Sequence, residues 1–165
     1  MGFQVQEFNS NRDWAEMKRG LEDVLENSSY VYRQLQSIGY DWRHPLYWIG
    51  RQGHSQLALL LLCGGLPVDT LDGEGYTMLH GAAARGHLQL VRLLLGRSAD
   101  VDTRGSSGDT PLMRAAQFGY LKTVVVLVQA GANTTARDSG LRTALDWAIS
   151  LGRTELVQYL VQFPH

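Results

Sequence analysis

Cysteine is nearly absent from this chain: its 165 residues include one, Cys63. A lone thiol can neither close an internal disulfide nor build a thiolate zinc cage, which excludes both kinds of staple. An excess of either charge is missing too, with 15 Lys and Arg against 16 Asp and Glu. That balance excludes the strongly basic footprint of a general nucleic-acid binder. A content of 44% apolar residues excludes an acidic, solvated, disordered chain. Long hydrophobic runs are lacking: the longest, Leu57 to Cys63, is seven residues, whereas a membrane span needs about twenty. Near the N-terminus Arg12, Lys18 and Arg19 are interleaved with Glu7, Asp13, Glu16, Glu22 and Asp23, a pattern of neither a signal peptide nor a mitochondrial presequence. The compartment expected from these absences is intracellular and reducing, with the cytoplasm as the default. Glycine, by contrast, is abundant. Eighteen of them are too many for a plain helical bundle and point to many turns or to a repeat.

The repeat is there. Thr77-Met78-Leu79-His80-Gly81-Ala82-Ala83-Ala84-Arg85-Gly86-His87 recurs as Thr110-Pro111-Leu112-Met113-Arg114-Ala115-Ala116-Gln117-Phe118-Gly119-Tyr120. It recurs again from Thr143 to Arg153 and, in weaker form, from His44 to His54. The interval from His44 to Thr77, from Thr77 to Thr110 and from Thr110 to Thr143 is the same each time. Thr77 and Thr110 have the hydroxyl that caps a helix start, and Pro111 suits a first helical turn. Gly53, Gly86, Gly119 and Gly152 stand where a helix must end in a left-handed residue. Second helices are predicted around Leu57–Leu62, Leu90–Leu95, Val124–Val128 and Leu156–Val161. Leu94 and Leu127 are assigned to the core between copies. Asp72 with Gly75, and Asp138 with Gly140, mark projecting turns.

Both the interval and the motif resemble those of the ankyrin-repeat family, whose unit of about 33 residues carries a Thr-Pro-Leu-His-x-Ala signature. The resemblance implies an all-α solenoid of helix-turn-helix repeats with projecting β-turns. It divides the chain into four repeats, 39–71, 72–104, 105–137 and 138–165, preceded by a helical extension or cap over residues 1–38. The first copy is divergent, with His44 for Thr and Ile49-Gly50 for the paired alanines. The third has Gly105 where the turn aspartate is usual. Gln158 and Gln162 place polar groups on the last helix, as a terminal repeat facing water requires. In the extension, Trp14, Met17, Leu21, Val24 and Leu25 form a helical stripe behind Ser10, and Val31, Leu35 and Ile38 suggest a second helix. A decayed repeat is the other reading of this segment.

Chemistry-bearing motifs are missing. His80 takes the Thr-x-x-His position, where the ring bonds within the turn and cap, while His54 and His87 follow helix-ending glycines. Cys63, on a leucine-rich helix, reads as an inert packing residue. No nucleophile elbow, phosphate-cradling loop or metalloprotease motif occurs, so no catalytic, cofactor or metal residues are assigned.

What the resemblance does imply is a binding surface, since repeat stacks recognise partners through variable residues on an extended concave face. By phase these are Tyr40, Asp41, Arg43, Arg51 and Gln52 in the first repeat, and Glu74, Tyr76, Ala84 and Arg85 in the second. Asp109, Gln117 and Phe118 follow in the third, and Arg142, Ser150 and Leu151 in the fourth. Six of the fifteen aromatic residues fall between Tyr30 and Trp48. Tyr40 and Trp42 are therefore expected in the main interface, because aromatic and Arg side chains dominate interface hot spots. The expected function is a non-catalytic protein–protein interaction module, foremost an accessory subunit of a larger assembly. The alternative is a free-standing inhibitor or adaptor of a soluble enzyme, although small four-repeat kinase inhibitors have no counterpart of residues 1–43. Nucleic-acid or nucleotide binding through Arg and aromatic residues stands third.

Overall fold

The computed structural model describes residues 45–163, which form eight helices and no strands. In chain order these are α1 Pro45–Gln52, α2 Ser55–Cys63, α3 Met78–Arg85 and α4 Leu88–Gly96. They continue as α5 Pro111–Phe118, α6 Leu121–Gln129, α7 Ala144–Ser150 and α8 Thr154–Leu160. The first helices of the pairs begin at Pro45, Met78, Pro111 and Ala144, which keeps the constant interval of the sequence repeat. The extension over residues 1–38 lies outside the described residues.

Local chemistry sets the helix ends. Thr77, Thr110 and Thr143 are extended N-caps whose hydroxyl oxygens accept from the amides of His80, Met113 and Asp146. Pro111 sits in the first turn of α5, where no amide donor is missed. Gly53, Gly86, Gly119 and Gly152 all have positive φ, as their place after the first helices requires. The second helices start a little before the apolar runs, because Ser55, Leu88, Leu121 and Thr154 closely follow the glycine turn.

Helices of seven to nine residues are marginal in isolation, so the stack must hold them. First helices pack in a row, α1 on α3, α3 on α5 and α5 on α7, and second helices form a parallel row behind them. Small residues permit the close approach: Ala82, Ala83, Ala115, Ala116 and Ala148 have no exposed surface. At the divergent first copy the approach is closer still. A Cβ on Gly50 would meet the Met78 carbonyl at 2.1 Å, and one on Gly81 would meet the Tyr47 carbonyl at 2.1 Å. The space between the rows is filled by larger side chains, including Leu90, Leu94, Val124, Leu127, Leu156 and Leu160. Leu94 and Leu127 are completely buried, as their phase predicted. Among the described residues no helix is long and apolar enough to cross a membrane.

One expectation needs correction. Cys63 is exposed rather than packed, because α2 is apolar nearly all round and Cys63 falls on its outer side, near the Arg97 guanidinium. Gln158 on α8 and Gln162 just past it are both exposed, as expected of them. Ala83 and Ala116 are covered by the following repeat, but Ile149 at the same phase is 57% exposed and Val161 is 54% exposed.

Candidate functional site

The face built by the inter-repeat turns and the first helices begins with the turns themselves. Each is closed by an amide donating to the carbonyl four residues on: Asp72 to Tyr76 at 2.8 Å, Gly105 to Asp109 at 2.8 Å and Asp138 to Arg142 at 3.0 Å. In two turns an aspartate fills the interior. Asp72 Oδ1 accepts from the amides of Glu74 and Tyr76 at 2.9 and 2.8 Å, and Asp138 Oδ1 accepts from those of Gly140 and Arg142 at 2.8 and 3.0 Å.

The middle turn is built differently. With Gly105 in the aspartate's place, the Tyr76 ring of the preceding repeat moves in, and a Cβ on Gly105 would lie 2.2 Å from Tyr76 Cε1. Arg104 clamps this turn from outside, donating from Nη1 to the carbonyls of Gly108 at 2.8 Å and Arg137 at 2.6 Å. Tyr76 in turn lies 5.4 Å from the ring centres of both Tyr47 and His80, and the Arg114 guanidinium sits 4.7 Å above it. Arg114 Nε pairs with Asp109 Oδ2, leaving Asp109 Oδ1 buried with no hydrogen-bond partner among the described residues. Burial works most strongly against the Arg114 charge, but Asp109, Tyr76 and Tyr47 together outweigh it and shift the guanidinium pKa upward.

A second guanidinium is mounted one repeat further on. Arg142 lies 3.7 Å over the Trp147 ring, and its Nε is 3.4 Å from Asp138 Oδ2. The same oxygen accepts the Trp147 indole N–H at 3.0 Å, so ring, cation and carboxylate lock one another. Burial alone would raise the Asp138 carboxyl, yet the Arg142 amide, the Trp147 indole and the Gly140 amide hold it below its ordinary value. Between the two guanidiniums opens a cleft of about 240 Å³. Ser107, Asp109, Met113, Arg114 and Gln117 line one side, and Asp138, Ser139, Gly140, Arg142 and Trp147 line the other. Both Arg side chains engage protein carboxylates through Nε, and their terminal Nη groups donate no hydrogen bond among the described residues. Among the described residues no group of three or more His, Cys, Asp and Glu side chains is placed to hold a metal ion.

Of the residues singled out from sequence, the cleft brings together Asp109, Gln117 and Arg142. Arg51, Gln52, Glu74, Arg85, Phe118 and Leu151 are exposed but do not line it. Tyr76 and Asp109 are only 7% and 6% exposed, which corrects their reading as surface contacts. The reason is local: Tyr76 replaces a missing aspartate, and Asp109 anchors Arg114. Ala84 is buried as well, whereas Ser150 is exposed. Tyr40, Asp41, Trp42 and Arg43 lie outside the described residues. Sequence reasoning missed Arg114 and Trp147, which share one phase with Gly81. A Gly, an Arg and a Trp at one helical position is itself a signal, since a core position would not vary so widely.

A family model described as ankyrin repeats in three copies matches residues 46–138 and again 104–164. No curated protein matches the chain.

Proposed function

Because the chain belongs to the ankyrin-repeat family, whose members are protein–protein interaction modules, we propose that it acts as a non-catalytic accessory subunit of a larger protein assembly. The observation that supports this reading is the coexistence of two kinds of group suited to contact on one small stack. The first is the cleft with its ring-backed guanidiniums. The second consists of exposed apolar side chains that do not line the cleft: Phe118, Ile149, Leu151 and Val161. Aromatic and Arg groups held in one rotamer lose little entropy on binding, which is what an interface anchor needs. Apolar groups left facing water gain by being covered in a permanent contact. Four repeats over 39–165, the helical cap over 1–38, an interface that extends to Tyr40, Asp41, Trp42 and Arg43, and an intracellular location are parts of the same proposal.

The test is recovery of the tagged full-length chain from its native cells, followed by size-exclusion chromatography with mass measurement. The expected result is a discrete assembly of several different chains. A one-to-one pair with a single soluble enzyme would overturn the subunit reading and favour a regulator.

A further inference from the structure

We propose that the cleft between the third and fourth repeats takes an acidic protein segment, with a partner carboxylate held by the Nη groups of Arg142 beside the Trp147 ring. This rests on the reading of the chain as a protein-interaction module and names the class of partner. Its basis is the donor inventory. A guanidinium carries five N–H donors and no acceptor, and Arg114 and Arg142 each use Nε internally. What remains at both is a planar pair of donors, the geometry that a carboxylate matches with two parallel hydrogen bonds. The Trp147 indole N–H is already donated to Asp138 and does not compete for the ligand.

Orientation is also supplied in advance. Arg142 is stacked at 3.7 Å on Trp147, and Arg114 is stacked at 4.7 Å on the Tyr76 ring, so neither must be ordered by the partner. Along the same face Arg51 and Arg85 are exposed, with no ion pair among the described residues. The acids of this face are mostly committed: Asp72 and Asp138 fill turns, Asp109 holds Arg114, and Asp146 caps α7 through Thr143. An acidic segment crossing the repeats therefore meets free cations.

A nucleic acid fits less well. The cleft lining has two guanidiniums and no lysine, so it lacks the run of cations that follows a phosphate at every nucleotide. A single partner carboxylate needs only the planar fork of Arg142.

The experiment measures fluorescence anisotropy of labelled hexaglutamate, hexalysine and a single-stranded hexanucleotide with the full-length chain. The expected result is saturable binding of hexaglutamate that weakens at least fivefold in Arg142→Gln and is not restored in Arg142→Lys, because an ammonium cannot fork. Arg92→Gln, on the exposed side of α4, should leave it unchanged. Should Arg142→Gln fail to fold by circular dichroism, Ser139→Glu is the second variant, since it sets a like charge at the cleft mouth without touching Asp138 or Trp147. The inference is overturned if hexaglutamate does not bind at millimolar concentration, if folded cleft variants bind it as the wild type does, or if the hexanucleotide binds more tightly with the steeper salt dependence. Recovery of a multi-chain assembly with hexaglutamate inert would overturn this inference alone. Hexaglutamate binding by a chain recovered only in a one-to-one pair would overturn the subunit reading alone.

Discussion

His80 shows how a single side chain fixes its own protonation state. Its Nδ1 faces the Thr77 amide at 3.3 Å, which can only donate, and its Nε2 faces the Asp109 carbonyl at 3.2 Å, which can only accept. The proton therefore resides on Nε2, and the Thr77 hydroxyl at 2.9 Å donates to Nδ1. Burial lowers the His80 pKa, and the opposing pull of Asp109, itself paired with Arg114, does not reverse the effect. The unfolded chain binds this proton first, so stability is complete above about pH 6.5 and is lost as pH falls through the lower folded value. Urea unfolding at a series of pH values from 7.5 to 5 should show this decline, and His80→Gln should flatten it while lowering stability at pH 7.5. A variant with the wild-type slope would place the titration elsewhere. Asp138 and Asp146, whose pKa values are lowered, lose their contributions only further into acid. Gly105 makes a second prediction at this scale. Restoring the aspartate of the other turns, Gly105→Asp, should destabilise the chain by about 2 kcal/mol, since the Tyr76 ring fills that space. The thermal midpoint would fall by several degrees; an unchanged or higher midpoint would show that the ring can move aside. The role of His80 was legible from Thr-x-x-His. The burial of Tyr76 was not, because it depends on a side chain absent from the next repeat.

At the scale of the element, the repeat's helix ends separate backbone cost from packing cost. Gly86 and Gly152 share one phase and similar positive φ values of 69° and 64°. A Cβ on Gly86 would meet the Tyr120 ring at 2.3 Å, while one on Gly152 would meet nothing within 4 Å. Gly152→Ala should thus cost about 1 kcal/mol, the penalty of a left-handed alanine alone. Gly86→Ala should cost at least about 1 kcal/mol more, because the ring must shift as well. Denaturant midpoints measure both, and equal losses would mean that Tyr120 relaxes freely. These helix ends, the threonine caps and the order of eight helices were all readable from the constant period, since each is set by local chemistry repeated in register. The outer side of Cys63 was not readable, because a run of leucines has no polar face to reveal its orientation. Nor was the pairing of Arg114 and Arg142 across one cleft. They are distant in sequence and hold different phases, so only the stacking of repeats brings them together.

For the whole molecule, the stack is a chain of nearest-neighbour contacts, and position along it decides what a substitution does. Leu94 is completely buried between its own repeat and the next. Leu94→Asp would place a charge there without a partner, costing several kcal/mol and removing the coupling between the second and third repeats. Ile149 is also apolar and also on a helix, but no described residue covers it, and it is 57% exposed. Ile149→Asp should therefore change stability by no more than about 1 kcal/mol. Thermal unfolding followed by circular dichroism makes the comparison: Leu94→Asp loses the cooperative transition, and Ile149→Asp keeps it. An Ile149→Asp chain that unfolds like Leu94→Asp would show that this end of the stack is sealed within the chain itself. A stable Ile149→Asp chain then isolates the question of assembly, since any reduction in the mass of the recovered complex must come from the lost contact. The subunit reading requires that reduction, and a full-size assembly would confine the partner contacts to the cleft and the turns.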